Sequence, residues 1–204
     1  SEDVTNIIRK SWTYLDTLLY ESYQQILESK VDTSKLTISS DVIQLLYIYA
    51  LNADRALDTN INKALQYYRN KAKVNWPRMN LNCQAQIAIL MQEKEPELAK
   101  DIVEALRQNA IKSEEQGMYW KSNIAGYSWY DAPIENQALL IEAFRVVGAP
   151  ADEIAAMQTW IIKNKQTNRW HSTKATVDAT YAILGKNIEV LGASPKVQIQ
   201  LGDE

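Results

Sequence analysis

Apolar residues recur along this chain in two alternating helical patterns. Across 4–28, Ile8, Trp12, Leu15, Leu19, Tyr23 and Ile26 fall three or four residues apart, one stripe along a long amphipathic helix. Across 41–51, Val42, Ile43, Leu45, Leu46, Ile48 and Leu51 point in every direction, which predicts a helix buried on all sides. The alternation continues. Segments 59–73, 96–112 and 151–164 read as amphipathic, and 83–91, 134–147 and 173–184 as apolar on most sides. Pro96 and Pro150 stand where a first helical residue belongs, and Glu97, Asp152 and Glu153 suit the positive end of a helix dipole. Ser172 is an N-cap candidate for 173–184, and Ser39 or Ser40 for 41–51. Gly148 follows 134–147 as a C-terminal glycine does.

Buried helices alternating with half-buried ones have a simple solution: an inner set surrounded by an outer set. The expected fold is therefore all-α, an α/α toroid or an arc of about four helical hairpins. A repeat supports this. Trp76, Trp129 and Trp170 each stand nine residues ahead of an inner-helix alanine (Ala85, Ala138 and Ala179), and Leu36 stands nine ahead of Leu45. The period is about forty residues, stretched to about fifty-three between Trp76 and Trp129, as stacked hairpin units produce. The stretch is taken up by 117–130, an aromatic segment with two glycines and no helical period, expected to be a β-hairpin or long loop on one rim. After Leu184, Pro195 to Leu201 alternates apolar and polar, which predicts a strand. The domain reading is a helical domain over 1–190 and the start of a following β domain, or a tail, over 191–204.

Composition narrows the chemistry. A net charge of −3 gives no electrostatic footprint for nucleic acid, and no apolar run is long enough to insert in a membrane. One cysteine and one histidine leave no internal disulfide, no cysteine-rich metal site and no multi-histidine zinc centre, so no cofactor is expected. His171 has no suggested nucleophile or acid partner, and Asp131 and Glu135 read as well as helix-start charges as ligand groups. Tyr119, Trp120, Tyr127, Trp129 and Tyr130 form a candidate interaction surface. Packing between hairpins and binding of a ligand both remain open for these rings.

The last third of the chain carries a family resemblance. Residues 134–143 (Ile-Glu-Asn-Gln-Ala-Leu-Leu-Ile-Glu-Ala) resemble the Val-Glu-x-Thr-Ala-Tyr-x-Leu-Leu-Ala helix of the alpha-2-macroglobulin family. Trp160 to Gln166 resembles its Trp-Leu-x-x-x-x-Gln, and Trp170, Ser172, Thr173, Thr176 and Ala179 resemble its Trp-x-Ser-Thr-Gln-x-Thr-x-x-Ala. The likeness is nearest to bacterial members and, over 41–115, is one of layout. It implies a thioester-domain-like helical part of a protease trap. Its partners would be other domains of the parent chain and, through the parent, target proteases, in the periplasm or at the cell surface. The family's thioester motif is Gly-Cys-x-Glu-Gln. Cys83 and Gln86 have its spacing, but Asn82 stands for Gly and Ala85 for Glu, so no thioester is expected and no catalytic residue is assigned. Two alternatives stand beside this: a glycan- or peptide-binding helical repeat using the 117–130 aromatics, and a terpenoid-cyclase-like enzyme, for which the required Asp-rich motif is lacking.

Overall fold

The computed structural model describes residues 2–29, 36–167, 170 and 172–185. The strand expected at 195–201, His171 and the proposed boundary at 190 lie outside these residues. The described chain is mostly helical: α1 (Glu2–Glu28), α2 (Ser40–Leu51), α3 (Thr59–Asn75), α4 (Leu81–Met91), α5 (Pro96–Gln108), α6 (Pro133–Val146), α7 (Ala151–Thr167) and α8 (Thr173–Leu184). A short hairpin, β1 (Ile111–Ser113) with β2 (Gly117–Tyr119), separates α5 from α6.

Local chemistry sets the helix starts. Ser39 Oγ accepts from Val42 N–H at α2, Asp58 accepts from Asn60 N–H at α3, and Ser172 accepts from Ala175 N–H at α8. Asn80 accepts from Cys83 N–H at 2.9 Å, which starts α4 two residues before the apolar run that predicts it. Pro96 and Pro133 open α5 and α6 without a side-chain cap. Gly148, at φ 75°, ends the run after α6, with Ala149 N–H returning to Phe144 carbonyl.

The expected helix over 96–112 stops at Gln108. Asn109 turns its side chain back to Ala105 carbonyl, and Ile111 pairs with Tyr119 in the hairpin instead. The segment expected as a hairpin or loop over 117–130 is thus both. It supplies the second strand of a hairpin that begins at Ile111, followed by non-helical chain up to Ala132.

Packing follows the two sequence patterns. α2 packs on α4, α4 on α6, and α6 on α8. α5 packs on α4, α7 on α6 and on β2, and α3 on both α1 and α2. Of the helices expected to be apolar on all or most sides, α4 buries Ala85, Ile87, Ala88, Leu90 and Met91 but leaves Ile89 half-buried. α6 buries Ile134, Ala138, Leu140, Ile141 and Phe144 but leaves Leu139 half-buried. α2, expected to be buried on all sides, buries Ile43, Leu45 and Leu46 but leaves Leu51 64% exposed at its end. α8 differs, for Val177 and Tyr181 face solvent where the row ends. At the other end α1 is tied down through Asp16, which accepts from Tyr49 Oη at 2.6 Å and from the Arg55 guanidinium, itself lying 4.5 Å over the Trp12 ring.

Candidate functional site

The four helices α2, α4, α6 and α8 line an open cavity of about 420 Å³. Its lining mixes apolar surface with several polar side chains, although the helices that make it are the most apolar of the chain. Gln44 and Tyr47 come from α2, Asn82 and Gln86 from α4, and Glu135, Asn136 and Glu142 from α6. Lys174, Asp178 and Tyr181 come from α8, and Trp129 reaches the cavity from the loop before α6. Helical spacing explains the set: Asn82 and Gln86, like Lys174 and Asp178, are four apart and share a face.

A ladder of carboxamides runs beneath this cavity. Asn136 Nδ2 donates to the Tyr130 carbonyl at 2.8 Å and to Asn123 Oδ1 at 3.2 Å. The backbone carbonyl fixes which end of the Asn136 amide points there, so Asn136 Oδ1 faces α4 and accepts from Asn82 Nδ2 at 2.9 Å. The Asn82 oxygen is then left over, buried and without a partner among the described residues. Gln86 is similar, its Nε2 donating to Gln44 Oε1 while its own Oε1 has no partner among the described residues. Asn82, Gln86 and Asn136 are only 9%, 3% and 4% exposed. Buried acceptors left unmatched cost on the order of 1–3 kcal/mol each, so their place at a cavity wall is informative.

The carboxylates differ in how they are engaged. Asp178 pairs with Lys174, and Glu135 accepts from Ser172 Oγ at 3.0 Å. Glu142 has no hydrogen bond or ion pair among the described residues. Across the cavity, burial pushes the Tyr47 phenol up, with Glu142, Asp178 and Tyr181 adding to it, so Tyr47 is a neutral donor at physiological pH.

The residues singled out from sequence disperse. Trp120 is 2% exposed, donates Nε1 to Leu106 carbonyl at 2.8 Å and packs edge-on to Phe144, so it is part of the core and not of a surface. Tyr119 stacks on Trp160 against α7. Tyr127 is fully exposed, and Trp129, 48% exposed, donates Nε1 to Asp41 and meets Tyr130 edge-on. Of the five rings only Trp129 reaches the cavity, and of Cys83 and Gln86 only Gln86 does. Trp76 and Trp170, the other members of the repeat, pack half-buried against the core.

Cys83 is buried completely. Burial pushes its thiol up, partly offset by hydrogen bonds with Ser40 and Asn80. It is a protonated thiol directed at the start of α2, while the Gln86 carboxamide is committed to Gln44. Among the described residues no group of three or more His, Cys, Asp or Glu could hold a metal ion, and no helix is long and apolar enough to cross a membrane.

Glu135, weighed from sequence as a ligand group, also lines the cavity, while its partner in that reading, Asp131, does not. The remaining cavity residues were not singled out, yet a signal was present: Gln44, Asn82 and Asn136 interrupt helices otherwise apolar on most sides. In comparisons with known proteins, no family model, curated protein or solved structure matches this chain.

Proposed function

We propose that this chain is a non-catalytic scaffold and interaction domain of an alpha-2-macroglobulin-like protease trap of bacterial type, acting outside the cytoplasm. In this reading its helices form four hairpins arranged as an arc of an α/α toroid. The observation that carries it is the order of packing, α2 on α4 on α6 on α8, with α3, α5 and α7 each laid against an inner helix. A continuous inner row makes a stiff body, suited to moving as a unit when a parent chain rearranges. The resemblance of 134–143 and 160–179 to family motifs supplies the identity of the parent. Trapping by the parent would be non-covalent at this domain, because the buried, protonated Cys83 and the committed Gln86 are poorly placed to condense.

Two experiments test this. Intact mass before and after methylamine, with thiol titration, is expected to give one thiol accessible on denaturation and no mass gain. A masked thiol released with a methylamine adduct would establish a Cys83–Gln86 thioester and covalent capture. The full-length parent is then expected to slow proteolysis of a large protein substrate while sparing that of a small peptide. Equal protection of both substrates, or of neither, would sink the trap reading.

A glycan- or peptide-binding role draws on the exposure of Tyr127 and of Trp129, the latter at the cavity. Its probe is Trp129→Ala, since Trp120→Ala would disturb the core and read folding instead.

A further inference from the structure

We infer that the cavity between α2, α4, α6 and α8 is a binding site for an organic cation rich in N–H donors, an alkylammonium or guanidinium group. The inference stands on the cavity alone and does not depend on the protease-trap reading.

The first ground is the unmatched acceptors. Asn82 Oδ1 and Gln86 Oε1 belong to side chains that line the cavity, are more than nine-tenths buried and have no donor among the described residues. The orientation of Asn82 is set by a chain of amides ending at the Tyr130 carbonyl, so the atom it leaves unmatched is an oxygen. A ligand that donates hydrogen bonds matches these walls, and one that only accepts them does not. The second ground is charge. Glu135, Glu142 and Asp178 line the same space, and the lone cation there, Lys174, is taken by Asp178. Glu142, which makes no ion pair among the described residues, stands close enough to Tyr47 to raise its phenol further. The third ground is shape and surface. A volume of about 420 Å³ lies in the range of small-molecule sites. Tyr47, Trp129 and Tyr181 also line the space, and aromatic rings attract cations.

Such a cation has two sources, a free polyamine or a basic side chain on a peptide. Isothermal titration with spermidine and with Nα-acetyl-arginine amide, octanediol serving as the uncharged control, separates them. Saturable one-to-one binding is expected for at least one of the two cations and none for octanediol. Stronger binding of spermidine would assign a free polyamine, and stronger binding of the arginine derivative a basic side chain of a partner. Glu142→Gln is expected to weaken binding roughly tenfold or more, the usual consequence of losing a charged partner. Glu93→Gln, which removes the same charge from an exposed position in the turn after α4, should leave affinity unchanged. Lys174→Ala, at an exposed position, frees Asp178 and should tighten binding a few-fold. Asn82→Leu should weaken it, circular dichroism serving to establish that the variant is folded. Absence of saturable binding to the wild-type chain overturns the inference. Equal losses in Glu142→Gln and Glu93→Gln would do the same, by showing a diffuse charge effect in place of a site.

Discussion

The insert between α5 and α6 contains two aromatic halves that meet opposite fates. In the first half, Ile111 to Trp120, the chain folds back on itself and is locked against α5, α6 and α7. In the second half, Lys121 to Asp131, the chain runs along the surface, and Tyr127 and Trp129 stand exposed. The two tryptophans illustrate it. Each has an indole N–H donor, but Trp120 spends it on the Leu106 carbonyl inside the core, and Trp129 on the Asp41 carboxylate at the surface. An indole is large enough to anchor a core and polar enough to serve a binding rim, so residue type alone does not separate the roles.

Four substitutions sharpen this contrast, the largest effect first. Trp120→Ala removes a buried ring and is expected to destabilise the fold by about 3–5 kcal/mol in chemical denaturation. Gly117→Ala comes next. Gly117 has φ 80°, and an added Cβ would lie 2.1 Å from the Ala156 carbonyl oxygen of α7. The hairpin would have to lift from α7, at a cost of roughly 2–3 kcal/mol. A stability equal to wild type would mean that the hairpin does not lie against α7.

Glu153→Gln tests the electrostatic clamp on the hairpin. Glu153 is buried, accepts from Arg107 Nε at 2.9 Å and from Lys112 Nζ at 3.2 Å, and so joins α7 to α5 and β1. Burial pushes its carboxyl up, but the hydrogen bonds and charges of Arg107 and Lys112 outweigh this, so it titrates below the ordinary glutamate value. A depressed folded-state pKa contributes stability that is present above the unfolded value of about 4.3 and lost as pH falls through the folded value. The substitution is expected to cost about 1–2 kcal/mol at neutral pH and to flatten the acid limb of the stability profile. An unchanged acid limb would assign that limb to other carboxylates. The smallest effect belongs to Trp129→Ala, expected to change stability by less than about 1 kcal/mol while weakening cation binding, read by denaturation and titration in parallel. A loss as large as that of Trp120→Ala would erase the distinction between the halves.

Much of the helical layout was legible in the sequence because period and capping are local. The run Ala85 to Met91 has no polar face to offer water, and Ser39, Asp58 and Ser172 mark starts by satisfying the first free N–H groups. Errors came where local signals competed with distant ones. The segment 96–112 reads as one amphipathic helix, but pairing of Ile111 with Tyr119 and the approach of Gly117 to α7 draw its end into a strand. The cavity was less legible. Gln86 attracted notice only for its spacing from Cys83, and its role at the wall depends on Gln44, forty-two residues away, in another helix.

The sequence by itself determined that this chain would be helical, that α4 and α6 would be deeply buried, and that one cysteine and one histidine would leave little room for metal chemistry. These follow from periodicity and composition, properties that a single segment or a simple count possesses. Tertiary structure alone decided which ring of the insert is core and which is rim, and that Asn82, Gln86, Glu142 and Asp178 from three helices line one cavity. Those are relations between segments, and the physical quantity that sets them, whether a polar atom finds its partner or is left without one, has a value only once the helices are packed.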